Sequence, residues 1–312
     1  MQTVRLGRTN AKVSVAGLGC GGASRLGMAA GADSEQAARV VRRALELGVT
    51  FIDTARAYGT EEAVGIGIRG RRDEVFLSTK SSPGRGERMF TADELTESLE
   101  GSLRRLGTDR VDVFHLHGVR PEQYDYCAEV LVPEMRRQQA AGKIGFVGAT
   151  EQFGGDTGHK MLARALPDDL FDVVMVGFNL LNPSARDRVF PETLKHDVGT
   201  LIMFAVRRTL SQPGALQPVV AELIERGEVD AGKIDAADSL GFLRERTDVS
   251  SLTEAAYRFC RHEPGADVIL TGTGNVEHLE ANLAAIQGPP LAPDITERLR
   301  SLFGGVDSVS GN

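Results

Sequence analysis

The stretch FIDTARAYG, residues 51–59, ends an apolar run on Asp53 and places Tyr58 shortly after it. Further along, VFLSTK ends on Lys80 and VDVFHLHG carries His117. An acid, a phenol, an ammonium and an imidazole thus close three successive β-branched runs. Each has a structural explanation of its own. Tyr58 alone reads as an amphipathic surface aromatic, Lys80 as a solvated strand end, Asp53 as a helix cap or rim partner of the lysine, and His117 as a satisfied, half-buried histidine. Jointly they read differently: neighbouring strands ending in different ionisable groups are costly to bury and poor for stability, which marks a working site.

The chemistry these groups support follows from their acidities. A tyrosine of ordinary pKa, about 10, is too weak an acid to protonate a developing alkoxide quickly at neutral pH. A neighbouring ammonium favours phenolate and draws that pKa down, and a carboxylate beside the ammonium pins it and keeps it charged under partial burial. His117, donating through a ring N–H, would orient and polarise the same carbonyl oxygen. The set supplies a proton donor and an oxyanion site, but neither an electron source nor a base-activated nucleophile. A hydride from a bound cofactor would complete it.

Eight short β-branched runs alternate with amphipathic segments of helical length and must position these groups. They are VAGLGC (15–20), TFIDTA (50–55), VFLSTK (75–80), VDVFHLHG (111–118), IGFVGAT (144–150), DVVMVGF (172–178), TLIMFAV (200–206) and ADVILTGT (266–273). Asp33 with Gln36, Thr91 with Glu94 and Ser251 with Glu254 have capping-box spacing, and Gly48, Gly107, Gly142 and Gly288 mark helix ends. Such alternation denotes parallel βα units. The first loop, GLGCGGASRLGMAAGADS, is too long for the tight G-x-G-x-x-G turn of an open dinucleotide-binding sheet, which favours a closed barrel. VRLGRTNAKVSV ahead of it suits a hairpin plugging one end. The expected fold is therefore an α/β, (β/α)8 TIM barrel spanning residues 1–312 as one domain, with an N-terminal β-hairpin and an elaborated, partly helical loop over 207–250 after strand seven.

Composition limits the partners. With 312 residues, 41% hydrophobic and 25% charged, the chain can bury a full core. A net charge of −7 without a Lys/Arg block argues against nucleic acid and anionic membranes and for a small-molecule partner. The opening MQTVRLGRTN has no apolar signal region, and no run approaches the roughly eighteen residues of a membrane span; a cytoplasmic protein is expected. Cys20, Cys127 and Cys260 lie far apart in no metal spacing. His115 and His117 share a strand face as metal ligands do, but a ligand set needs three or more groups. His159, His196, His262 and His278 all fall on helix or loop segments. No metal is expected.

DTARAYG, then STK, then LHG, in that order on strands two, three and four, resemble the aldo-keto reductase superfamily. The resemblance extends over the LGRTNAKVSVAGLGCGG opening, AGKIGFVGAT, GFNLLNPS and GTGNVEHLEANLAAI. It implies an enzyme that binds a nicotinamide cofactor without a Rossmann domain and interconverts a carbonyl and an alcohol. Asp53, Tyr58, Lys80 and His117 would form its catalytic tetrad, with Tyr58 as general acid. NADP(H) is the implied cofactor, with NAD(H) also open. Implied cofactor contacts are Gly22 in the first loop, Thr150 and Glu151 after strand five, and Phe204 against the nicotinamide, a position that reads nearly as well as a core phenylalanine on a buried strand. Arg207 and Arg208 read either as phosphate ligands through charge-assisted bonds or as a solvated pair on a loop, and an extended anion at this rim favours the former. Gly272, Thr273, Gly274, Asn275, His278 and Asn282 would lie at the adenosine end.

The sequence also departs from the family pattern. The usual Gly-x-Ser-Asn is here Gly148, Ala149, Thr150, Glu151, the usual Gln of strand six is Met175, and the Ser-Pro-Leu-Gly loop gives way to Ala205, Val206, Arg207, Arg208 and Thr209. Gly272 and His278 stand where relatives carry a Lys or Arg for the 2′-phosphate. A sensor-type regulatory subunit of the same fold is the alternative that the resemblance leaves open. Loops 118–126, 151–158 and 207–250 would set the substrate, with sugar lactols, aldehydes and secondary alcohols all open.

Overall fold

The computed structural model describes residues 1–312 except 236, 246 and 247, and residue 244 by its backbone alone. Part of the 207–250 loop therefore lies outside the described residues. The hairpin forms as expected: Thr3–Arg5 runs antiparallel to Lys12–Ser14. Eight parallel strands follow: β1 (Ala16–Gly19), β2 (Phe51–Asp53), β3 (Phe76–Ser81), β4 (Val111–Val119), β5 (Ile144–Glu151), β6 (Val173–Gly177), β7 (Gly199–Met203) and β8 (Val268–Thr271). Each bonds its neighbours in sequence, and β8 returns to β1 to close the barrel. Strand seven stops earlier than its apolar run, because Phe204 turns to φ +67. That is uncommon backbone for a bulky side chain.

Alternation along the strands divides the core in two. Phe51, Val113, Val173, Met175, Leu201 and Val268 fill the barrel interior, and Leu6 and Val13 of the hairpin join them, so the hairpin plugs the amino-terminal end. Ile52, Leu77, Phe114, Val147, Val174, Ile202 and Ile269 point the other way into the layer beneath the helices. The helices meet that layer with apolar residues at helical spacing, as Leu95, Leu99 and Leu103 do on Ala92–Leu106.

Two of the three capping boxes form in full, at Asp33 with Gln36 and at Thr91 with Glu94. At the third, Ser251 Oγ accepts from Glu254 N, but the Glu254 carboxylate turns instead to Ser250 and Arg258. Gly48, Gly107 and Gly142 adopt left-handed backbone; Gly288 does not, and its site is set by the Arg258 side chain packed against it. After β7 the loop carries short helices at Arg208–Ser211, Leu216–Glu225 and Gly241–Arg244. Among the described residues no helix is long and apolar enough to cross a membrane.

Leu6 is fully buried against the first residues of several strands. Leu6→Ala opens a cavity under the barrel and should cost about 2–5 kcal/mol. Denaturant titration with the slope held at the wild-type value measures it.

Candidate active site

The barrel register brings the four chemically active side chains together. Asp53 is paired with Ser78 across β2 and β3, and Lys80 with His115 across β3 and β4. Inward parity therefore puts Asp53, Ser78 and Lys80 on one wall. Lys80 Nζ donates to Asp53 Oδ2 at 2.6 Å and to the Thr54 carbonyl at 2.8 Å. Ser78 Oγ donates to Asp53 Oδ1 at 2.8 Å. The ion pair is dry, with side-chain exposures of 0% for Lys80 and 3% for Asp53.

Beyond Asp53 the chain makes one tight turn, Arg56–Tyr58, closed by Gly59 in left-handed backbone. That turn folds the phenol back over the ion pair, with Lys80 Nζ 4.9 Å from the ring centroid. Tyr58 Oη lies 3.3 Å from His117 Nε2, and the two rings meet edge to face. Residue 21 has to be glycine, since a Cβ there would lie 2.6 Å from the Tyr58 ring.

Burial and the lysine set the protonation states. Burial alone would lower the Lys80 ammonium, but Asp53 and the adjacent phenol raise it above its ordinary value. Burial raises Asp53, against the pull of Lys80 and Ser78. For Tyr58 the sequence predicts a lowered phenol. The structure gives the opposite direction, because burial and Asp53 raise it more than Lys80 lowers it. Burial and then Lys80 push His117 from 6.5 down to about 3, so the imidazole is neutral at physiological pH. His115 lies one layer deeper, fully buried against Gly148. Among the described residues no group of three His, Cys, Asp or Glu converges as metal ligands would.

A cleft of about 580 Å³ opens beside Tyr58 and Asp53, a size suited to small molecules and cofactors. Of the predicted cofactor residues, Gly22, Phe204, Arg207, Arg208, Gly272 and Thr273 line it. Met175, Met203 and Leu270 line its apolar side. Gly274, Asn275, His278 and Asn282 are not among its lining residues. Gly274 packs under the first loop, where a Cβ would lie 2.3 Å from Gly27 N. Asn275 caps the helix Val276–Ile286 by accepting from His278 N, the His278 side chain is exposed, and Asn282 Nδ2 donates to Thr271 Oγ1 at 2.9 Å. Thr150 is buried, its Oγ1 accepting from Gly118 N at 2.7 Å.

Glu151 is not brought to the cleft. Inward parity on β5 belongs to Phe146, Gly148 and Thr150, so Glu151 faces outward, where its buried carboxylate accepts from His159 Nδ1 and from Gly177 N.

Arg207 shows what kind of ligand the cleft suits. It is half-buried, lies 4.2 Å over the Phe204 ring, and donates from Nε and Nη2 to Asn312 Oδ1 at 3.0 and 2.7 Å. Among the described residues it pairs with no carboxylate, and burial draws the guanidinium below its ordinary value. A partly desolvated guanidinium held by a neutral amide keeps charge-assisted donors that a carboxylate partner would have occupied.

Gly21, Phe153, His159, Met203 and Asn312 belong to this region without having been picked out from the sequence. Strand parity could have signalled the outward turn of Glu151; nothing near Asn312 signals its position.

The sequence matches the pattern of the aldo/keto reductase family over residues 18–303, and the chain belongs to that family. Aldo-keto reductase YhdN of Bacillus subtilis (strain 168) is 29% identical over 280 residues, covering 83% of this chain and 80% of that protein. The holo form of aldo-keto reductase AKR11C1 from Bacillus halodurans superposes with a TM-score of 0.76 at 24% identity, covering 98% of this chain and 97% of that one. An aldo-keto reductase from Klebsiella pneumoniae solved in complex with NADPH gives a TM-score of 0.67 at 24% identity, covering 99% and 98% of the two chains.

His117 carries a stability signature. The unfolded imidazole takes up a proton near 6.5 and the folded one only near 3. Its contribution is therefore flat above 6.5 and subtracts stability as pH falls through that window, where the unfolded state binds more protons. His117→Gln should flatten the acid-side decline of the unfolding free energy, and the His117 ring resonances should show no titration between 6.5 and about 4.

Proposed function

We propose that this protein is an NADP(H)-dependent aldo-keto reductase that interconverts a carbonyl and an alcohol, with Tyr58 as general acid. The observation that carries this reading is the convergence of Tyr58 and neutral His117 over the dry Lys80–Asp53 pair, beside a cleft that Tyr58, Asp53 and Arg207 line. When bound, the nicotinamide cofactor supplies the hydride that reaches the carbonyl carbon.

The chain's own groups handle the oxygen. Tyr58, held above its ordinary pKa in the free protein, is fully protonated at neutral pH, so a proton is always in place at Oη. As the carbonyl oxygen gains charge, that proton moves to it and leaves a phenolate. Lys80, kept charged by Asp53, stabilises the phenolate at short range. Neutral His117 donates a ring N–H to the same oxygen. Hydride to carbon and proton to oxygen complete the alcohol, and the phenolate regains its proton from solvent. The reverse direction uses the same groups with Tyr58 as base.

Phe204 offers an aromatic face to the nicotinamide ring, Arg207 and Arg208 neutralise the phosphates, and Gly22 and Gly272 let an extended ligand lie against backbone. NADP(H) is preferred over NAD(H) because NADPH is the ligand of the Klebsiella pneumoniae relative. The substrate is a small carbonyl or alcohol.

Fluorescence titration with NADPH and NADH tests the reading directly: saturable binding is expected, and binding of neither sinks it. Tyr58→Phe should keep cofactor affinity and lose at least about 100-fold in carbonyl reduction; full turnover by that variant would refute the assigned proton donor. Arg207→Ala should weaken cofactor binding by about tenfold or more, the scale of one charge-assisted hydrogen bond, read from the same titration.

A further inference from the structure

Glu151 and His159 head a column of buried groups that ends at the cleft. The Glu151 carboxylate accepts from His159 Nδ1 at 3.0 and 2.9 Å and from Gly177 N at 2.7 Å, and both side chains are fully buried. The His159 ring stacks on Phe153 with centroids 5.3 Å apart and planes at 19°. Phe153 in turn meets Phe204 edge on, at 5.4 Å and 78°. Phe204 lines the cleft and carries Arg207 over its ring. Residue 177 has to be glycine, because the Phe153 ring sits where a Cβ would be, at 2.1 Å.

Packing alone does not call for this arrangement. Aliphatic side chains would fill the space without a desolvated acid, and replacing buried polar pairs by such residues is often neutral or stabilising. Here burial raises the Glu151 carboxyl above its ordinary value although His159 and Gly177 pull against it. His159 Nε2 is buried with no partner. His159 and Phe204 both hold left-handed backbone, at φ +60 and +67. These costs share one destination, the ring of Phe204.

We propose that Glu151 and His159 are positioning residues for the cofactor platform: they fix Phe153, and Phe153 fixes the height and tilt of the Phe204 ring against which a nicotinamide ring rests. The pair thereby takes over an orienting task that polar side chains at 151 and 175 would otherwise perform. Glu151 is turned away from the cleft, and Met175 offers no hydrogen-bond donor. The inference rests on the nicotinamide reading given above.

The test compares a ligand that has the nicotinamide ring with one that lacks it. NADP+ and 2′-phospho-ADP-ribose are titrated by calorimetry into the full chain, with melting temperatures recorded alongside. His159→Asn keeps a donor for Glu151 but removes the stacking ring; Phe153→Leu keeps the pair but removes the link to Phe204. Each should weaken NADP+ by about two- to tenfold, the range of a lost aromatic contact, and leave the ring-less fragment unchanged. The hydride-transfer rate at saturating cofactor should fall in parallel, with KM for the carbonyl nearly constant. Equal losses for both ligands, or no loss for either, in a folded variant would overturn the proposal. If His159→Asn does not fold, Phe153→Leu decides. Wild-type protein that binds neither ligand is a different result, which removes the nicotinamide reading itself.

Discussion

Everything at the mouth of the barrel depends on the contact between Lys80 and Asp53. Two opposite charges 2.6 Å apart, with side-chain exposures of 0% and 3%, are held between adjacent parallel strands. Removing both from water costs several kcal/mol per ion even after relaxation, and removing one partner alone typically costs about 3–5 kcal/mol. The pair endures because its remaining bonding positions are filled. Ser78 satisfies the second carboxylate oxygen and the Thr54 carbonyl a second ammonium proton. Thr54 can do so because its own N–H is bonded to Ser78 O, which locks the strand exit. Barrel geometry supplies what a loop could not, namely two rigid strands in fixed register with side chains of the same parity on one wall.

The fixed ammonium then sets the states of its neighbours. It pushes His117 further down than burial alone would, which leaves a neutral imidazole able to donate without carrying charge. On Tyr58 it works against burial and does not win. Under the general-acid role proposed for Tyr58 the two effects would divide the work of proton transfer: burial keeps the phenol protonated beforehand, and the ammonium would stabilise the phenolate once the proton has left. A phenol already lowered to the phenolate in the resting state would have no proton to give.

Much of this was legible in the sequence, and for a definite reason. The strands are short and β-branched, the turns between them carry recognisable caps, and Asp53, Lys80 and His117 each sit at or near the carboxyl end of an apolar run. Local signals place them, and the closed barrel brings them together. Glu151 shows where local reading fails. Its position after strand five suggests the cleft, but counting in twos from Gly148 gives Thr150 the inward face and Glu151 the outward one. His159 and Asn312 were illegible for another reason: each acts on a distant partner, Phe153 by stacking and Arg207 through its amide, and nothing in the neighbouring sequence encodes those meetings. Nor could the sequence give the net direction for Tyr58, because that depends on how completely the first loop buries the ring at Gly21.

The cleft's two ends follow opposite rules. Beside Asp53 the charges are paired and dry, and Met175, Met203 and Leu270 make the nearby lining apolar, so a ring entering there would be oriented by shape and stacking more than by hydrogen bonds. At the rim, Arg207 keeps its charge without a carboxylate among the described residues, held by an aromatic face and a neutral amide. A carboxylate partner would satisfy the guanidinium and close it to other anions, whereas an amide oxygen supports its geometry without neutralising it. Under the proposed cofactor reading, affinity and orientation would thus be separable: Arg207 would draw an anion, and the aromatic wall behind Phe204 would hold what that anion carries with it.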